Sequence, residues 1–200
     1  MLKLWEERYS GEKFAYGKEP NKFFKAEIEK LIPGRLLMIG EGEGRNAVYA
    51  AKLGWNVDAI DYSEMARKKA MALAAENNIL INYEINDLSL FEPKEDYYDA
   101  IGIIYIHLDE ELRRKVHLKV IKSLKENGCV ILEAFEKKQI KNSSGGPKNI
   151  DLLYSLEDIV SDFIDLEFIK LDKENVSLDE GDYHVGEADV VRFIGKKVMK

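Results

Sequence analysis

The feature that most constrains this chain is an alternation. Between residues 35 and 135, short apolar runs take turns with stretches whose apolar residues recur at helical spacing. RLLMI at 35–39, WNVDAI at 55–60, INYEI at 81–85, DAIGIIYI at 99–106 and CVILEAF at 129–135 have the length and composition of buried strands. Helices are predicted over 44–53, ended by Gly54, and over 64–77, where Ser63 is placed to cap and Glu64 favours the positive end of the dipole. A third is predicted over 109–126, where Leu112, Val116, Val120 and Leu124 recur before Asn127-Gly128. Strands alternating with helices require right-handed crossovers, hence a parallel sheet covered on both faces.

The two ends depart from that rhythm. Residues 1–20 mix Trp5, Tyr9, Phe14 and Tyr16 with charges and end at Glu19-Pro20, which predicts an irregular arm. A short helix is expected at 21–31, stopped by Pro33-Gly34. After a loop at 141–149, a helix is expected near 156–163, with Ser155 and Asp158 as a capping box. Strands at 165–172 and 188–198 follow with no helix between them, so they pair antiparallel. The expected fold is α/β: a doubly wound, mostly parallel seven-stranded sheet with a C-terminal antiparallel hairpin. Two hundred residues fit one domain, 1–200, with 1–20 as its arm.

A net charge of −7, with no Lys/Arg cluster among aromatics, argues against nucleic acid and acidic membrane surfaces as partners. One cysteine, Cys129, excludes an internal disulfide framework and suits a reducing cytoplasm. No basic start followed by an apolar run marks a leader, and no apolar stretch reaches membrane-spanning length. Three scattered histidines make no metal-ligand spacing.

The loop between the first predicted strand and its helix reads GEGEG, with Gly40, Gly42 and Gly44 separated by Glu41 and Glu43. Doubly wound folds bind ligands at such loops. The spacing lacks the third glycine of a dinucleotide fingerprint and the Lys-Ser/Thr ending of a phosphate loop. Two glutamates beside a pyrophosphate would cost roughly several kcal/mol in a low-dielectric pocket. A cationic, phosphate-free nucleoside is the better guest, and S-adenosylmethionine is one. Asp61, closing the second strand, can accept from a ribose diol or cap the next helix. Asp87, in Asn86-Asp87-Leu88 after the third strand, can accept an adenine amino group with Leu88 on the ring face, or make an Asx turn.

Taken with this loop, Asp61 and Asn86-Asp87 resemble the class I methyltransferases that use S-adenosylmethionine. The runs at 5–24, 40–63, 145–159 and 179–197 are similar to the tellurite-resistance (TehB-like) methyltransferase branch. The resemblance implies that Gly40, Gly42 and Gly44 admit the methionine portion and that Glu41 meets its ammonium. Arg45, Asn46 and the helix start would hold its carboxylate. It implies further that Tyr62 and Ser63 lie beside adenine, that Ile104, Tyr105 and Ile106 stand where methyl group and substrate meet, and that Trp5, Arg8, Tyr9, Tyr16 and Gly17 form a lid. One position departs from the pattern. Many class I enzymes have an acid two residues before the first glycine, where this chain has Met38.

Methyl transfer needs alignment, exclusion of water and, for some acceptors, a base. His107, at the end of the fourth strand, and His184, between the last two, are candidate substrate contacts; helix entry and a hairpin turn are their plain alternatives. His117 is expected at a helix surface and Cys129 in the core. Glu133, within a central strand, needs a partner such as Arg8 or a place in the substrate cavity. The expected activity is methyl transfer from S-adenosylmethionine to a small molecule, a tellurite- or selenite-type oxyanion or a small thiol, with Arg8, Arg45 and Lys18 as cations for an oxyanion. A binding protein without turnover and a nicotinamide-dependent reductase are the rival readings. Oligomeric state is not encoded in any motif.

Overall fold

The computed structural model describes residues 2–198. In chain order the elements are α1 (Leu2–Tyr9), α2 (Lys22–Ile28), β1 (Arg35–Ile39), α3 (Arg45–Lys52), β2 (Asn56–Asp61), α4 (Glu64–Glu76) and β3 (Asn82–Ile85). They continue with β4 (Tyr98–Ile104), α5 (Glu110–Ser123), β5 (Leu124–Phe135), α6 (Leu156–Asp162), β6 (Glu167–Glu180) and β7 (His184–Lys196). The seven strands form one sheet in the order β3-β2-β1-β4-β5-β7-β6. The first five are parallel, and β7 runs antiparallel to both β5 and β6. This is the doubly wound fold with a terminal hairpin that the alternation predicts.

Strands buried on both faces explain the unbroken apolar runs. Leu36 and Met38 of β1 point to one face, against Phe24 and Ile28 of α2, Ala47 and Val48 of α3 and Leu73 of α4. Leu37 and Ile39 point to the other, with Val116 and Val120 of α5, Ile159 of α6 and Phe163. Helix starts follow their chemistry. Ser63 Oγ accepts from Ala66 N, and Ser155 with Asp158 forms the expected capping box. Among the described residues no helix is long and apolar enough to cross a membrane.

Three boundaries differ from expectation. The first residues are helical rather than irregular: Trp5 and Tyr9, one turn apart, stack at 5.5 Å and turn a common face inward. Leu124 leaves the helix and pairs with Tyr98, so β5 starts before Cys129. Strand β6 runs 14 residues, well past the predicted end at 172, and β7 starts four residues before the predicted 188, with Glu180 paired to His184 across a three-residue turn. Their added length rests on Val176 and Leu178, which pack with Phe135, Leu153 and Val190. Lysines along β6 guard the open edge of the sheet.

The chain winds outward from β1 through β2 to β3, then returns to place β4 on the other side of β1. That reversal opens a crevice at the carboxyl ends of β1 and β4, where such folds bind ligands.

Candidate active site

One cavity of about 430 Å³ occupies the crevice. The loops after β1, β2, β4 and β5 line it, with α1, the turn at Tyr16-Gly17 and His184 of the hairpin closing over it. Of the residues singled out from sequence, Tyr9, Tyr16, Gly40, Glu41, Gly42, Arg45, Asn46, Asp61, Tyr62, Leu88, Tyr105, His107 and His184 all line it. Gly44, Ser63, Asn86, Asp87 and Glu133 do not.

The glycine loop is shaped by close approaches. Gly40, Gly42 and Gly44 all have positive φ, at 59°, 64° and 90°. A Cβ on Gly40 would overlap Ile106 Cδ1 at 1.8 Å, and one on Gly44 would meet Ala70 Cβ at 2.7 Å. The second of these makes Gly44 a packing glycine between α3 and α4, away from the cavity. A Cβ on Gly42 would stand 2.9 Å from the Tyr9 hydroxyl, and Tyr83 donates to the Gly42 carbonyl at 2.6 Å.

The two glutamates of the loop have separate fates. Glu43 pairs with Lys69 at 2.7 Å and accepts from the Ala15 N–H at 2.7 Å, so its charge is already matched. Glu41 turns its Oε1 back to accept from Asn46 N and Ala47 N, at 2.9 and 2.7 Å, satisfying two free donors at the start of α3. Its Oε2 is buried with no partner among the described residues. Burial pushes its pKa up to about 7, against the pull of those N–H groups and Arg45. Met38 lies on the other side of β1, its sulfur against Gly102 in the core.

Asp61 Oδ2 accepts from Gly42 N and Oδ1 from Ser63 N, both at 3.0 Å. Each oxygen keeps a lone pair, and burial raises the carboxyl pKa. Ser63 Oγ is committed to capping α4. Tyr62, whose buried hydroxyl has no partner among the described residues, and Leu88 stand on the same side of the cavity. Asp87 is exposed and accepts from Ser89 N at 2.8 Å, which is the Asx turn. The Asn86 amide donates to Glu84 at the surface.

At the opposite end, Tyr105 holds φ 55°, a strained conformation for a non-glycine residue. It turns the ring onto Phe135, centroids 4.6 Å apart, and edge-on to His184 at 4.6 Å. His184 Nδ1 lies 3.3 Å from Glu180 Oε2, which also pairs with Arg45 Nη2 at 2.9 Å. The imidazole pKa is lowered by burial against the pull of Glu180. His107 is different. Its Nδ1 faces the Leu152 carbonyl at 2.8 Å and its Nε2 receives the Phe135 N–H at 3.3 Å. Those partners assign the proton to Nδ1, and burial pushes the pKa down to about 4. His107 is a neutral strut between three loops, with no nitrogen left for a substrate proton.

Glu133 does not enter the cavity. Arg192, rather than Arg8, donates Nε to its Oε2 at 2.5 Å, and Asn21 donates to Oε1 at 2.6 Å. Tyr16 lies tilted against His184, centroids 4.5 Å apart, and its hydroxyl accepts from Arg8 at 2.7 Å. Lys18 pairs with Glu76 at the surface, and Arg45 is taken by Glu180, so neither is a free cation for an anion. His117 is buried, not superficial, and is bonded to Asp162. Cys129 is buried, its thiol pushed up to about 11.

Sequence reasoning missed Phe135, Leu108, Leu152 and the Gly146-Pro147-Lys148 wall of the cavity, and Glu180, which stands behind it on His184 and Arg45. Glu180 had a readable signal, a carboxylate opposite a histidine across a glycine turn. The wall had none, because Gly146 reaches the cavity by lying flat on the Phe135 ring, 2.8 Å from where its Cβ would be.

Comparison with known proteins agrees with this geometry. Residues 36–128 match a family described as a methyltransferase domain. Ubiquinone biosynthesis O-methyltransferases of Rickettsia bellii and Rickettsia conorii are each 28% identical, over 113 and 117 residues. The matched segment is 56% of this chain, but 47% and 40% of those proteins, so it spans under half their length. TehB from Haemophilus influenzae superposes with a TM-score of 0.74 over 98% of this chain and 66% of its own, at 16% identity. A phosphoethanolamine N-methyltransferase from Haemonchus contortus, solved with S-adenosyl-L-methionine, gives 0.69 over 98% and 56%, also at 16% identity. Residues 36–128 thus match a methyltransferase domain by sequence, and nearly the whole chain shares its fold with solved S-adenosylmethionine-dependent methyltransferases.

Proposed function

We propose that this protein moves the methyl group of S-adenosylmethionine to a small nucleophile, working as one unit over residues 1–200 with its N-terminal arm as a lid. The observation that carries the reading is the continuity of one cavity from the buried, unpartnered Glu41 Oε2 to His184. The residues present suit the cosubstrate. Glu41 would meet its ammonium, Asp61 has lone pairs for its ribose diol, and Tyr62 and Leu88 would flank its base. When bound, the cosubstrate supplies a methyl carbon already activated by a sulfonium.

The chain's own part is alignment, dryness and proton handling. Trp5, Tyr9 and Tyr16 cover the cavity. With Nδ1 held by Glu180, His184 presents Nε2 to take a proton from an acceptor thiol. A cavity of about 430 Å³ lies low in the range of roughly 300–1,000 Å³ that usually serves one drug-sized ligand. Shared between cosubstrate and acceptor, it leaves room for few atoms, which favours a tellurite- or selenite-type oxyanion or a small thiol. The lone buried Cys129 suits work in a reducing cytoplasm.

The test is S-adenosylhomocysteine release from purified protein given cosubstrate with tellurite, selenite or small thiols. Release above a heat-killed control supports the reading; tight binding with no release from any acceptor would make this a binding protein instead. His184→Gln should lower kcat for a thiol by about a hundredfold or more, and far less for an acceptor already anionic. Equal losses for both would remove the base role.

A further inference from the structure

S-adenosylmethionine also carries a carboxylate, and both receptors that the sequence offered for it are occupied. Arg45 donates to the Tyr16 carbonyl at 3.2 Å and pairs with Glu180 at 2.9 Å. The free N–H groups of Asn46 and Ala47 already donate to Glu41. Of the cations lining the cavity, Arg8 and Lys148 alone have no carboxylate partner among the described residues. Lys148 is exposed beside Pro147 and Leu152, at the acceptor end.

Arg8 is set differently. Its guanidinium lies over the rings of Trp5 and Tyr183, at 4.8 and 4.5 Å, and Nη1 donates to the Tyr16 hydroxyl at 2.7 Å. These contacts fix the plane yet engage one of five N–H donors, leaving the fork that carboxylates bind in pairs. A half-buried cation held by aromatic faces at a cavity wall is prepared for an anion.

The arm is also built in two parts. Residues 13–18 are fastened to the body: Lys69 donates to the Lys13 carbonyl, Glu43 accepts from Ala15 N, and Lys18 pairs with Glu76. Helix α1 joins them through Ser10-Gly11-Glu12, all exposed, with nothing within 4 Å of where a Gly11 Cβ would stand.

We propose that Arg8 receives the carboxylate of the cosubstrate's amino-acid end, so that the ligand itself fastens α1 over the cavity. This rests on the function proposed above and adds the residue that reads the amino-acid half of the ligand. Titration calorimetry with S-adenosylhomocysteine and with 5′-methylthioadenosine, which lacks the amino-acid end, tests it on the full chain, on Arg8→Met and on Arg8→Lys. Arg8→Met should weaken S-adenosylhomocysteine by about tenfold or more, leave methylthioadenosine within about twofold, and be partly rescued by lysine. In a Trp55→Phe background, Trp5 emission should change with S-adenosylhomocysteine and stay constant with methylthioadenosine. Equal weakening of both ligands would assign Arg8 to packing and overturn the proposal. A loss seen only in the acceptor KM would overturn it too, giving Arg8 to the acceptor. If the unaltered protein binds neither nucleoside, the function proposed above fails and takes this inference with it.

Discussion

Glu41 is where the chemistry of single residues matters most. Its two oxygens have opposite situations: one accepts two N–H groups of α3, the other is buried with no partner among the described residues. With Arg45 pulling its pKa down and Asp61 and burial pushing it up, the group balances near 7. A ligand ammonium favours the carboxylate form, so binding expels a proton whenever Glu41 starts protonated. The sign follows from linkage: affinity for S-adenosylhomocysteine should rise about tenfold per pH unit below 7 and level off above it. Glu41→Gln should flatten the profile between pH 6 and 7.5 and weaken binding at its upper end. Calorimetry in buffers of different ionisation enthalpy counts the proton; a pH-independent affinity in the unaltered protein would separate Glu41 from the ligand. The same residue shows what a sequence can and cannot give. That a carboxylate of the loop lines the cavity was legible from GEGEG. That Glu43 is neutralised by Lys69, leaving only Glu41 unmatched, depends on α4 lying beside the loop.

At the scale of elements, apolar pattern and caps located the strands and helices well, because they are local. What they missed was decided by partners far along the chain. Eight residues of α1 are too few to be helical alone. They are held because Tyr9 packs with Ala15 and Ala66. The hairpin outgrew its predicted strands because Val176 and Leu178 found Phe135 and Leu153. His117 was expected outside because its helix carries charges on most sides, yet a buried charge cluster joins α5 to α6 there. Arg113 Nε lies 2.7 Å from Asp162 Oδ2, His117 Nδ1 lies 2.8 Å from the same oxygen, and Arg113 Nη2 reaches Asp158 at 3.2 Å. Asp162 is fully buried, and losing it leaves the buried Arg113 guanidinium with only the more distant, partly exposed Asp158. Asp162→Ala should lower the urea unfolding free energy by about 3–5 kcal/mol. Replacing Arg113 by Met in the same chain should recover much of that, because the stranded charge is gone. A double variant no more stable than the single one would show the cost to be lost packing rather than unmatched charge.

For the whole molecule, the histidines set the response to acid. His107, His117 and His184 are the three in the chain, and burial lowers all their pKa values. Each is neutral when folded and takes up a proton on unfolding below its ordinary value of about 6.5. Each therefore contributes stability that is complete above that value and is lost, at up to about 1.4 kcal/mol per pH unit, as pH falls through the window below it. For His107 that window extends down to about pH 4. Glu41 acts in the opposite sense. Its folded pKa, about 7, lies above the ordinary carboxyl range, so its contribution grows as pH falls from 7. Asp61, whose pKa burial also raises, acts in the same sense as Glu41; three imidazoles against two carboxyls leave a net loss, and unfolding free energies from urea titrations should fall from pH 7 to pH 5. On the proposed binding mode, saturating S-adenosylhomocysteine should remove the Glu41 part of the opposing effect, because the ligand ammonium would keep Glu41 ionised. The bound protein should gain stability by mass action at pH 7.5 and lose more of it than the free protein on acidification. Parallel curves with and without ligand would mean that the nucleoside site and the titration of Glu41 are independent.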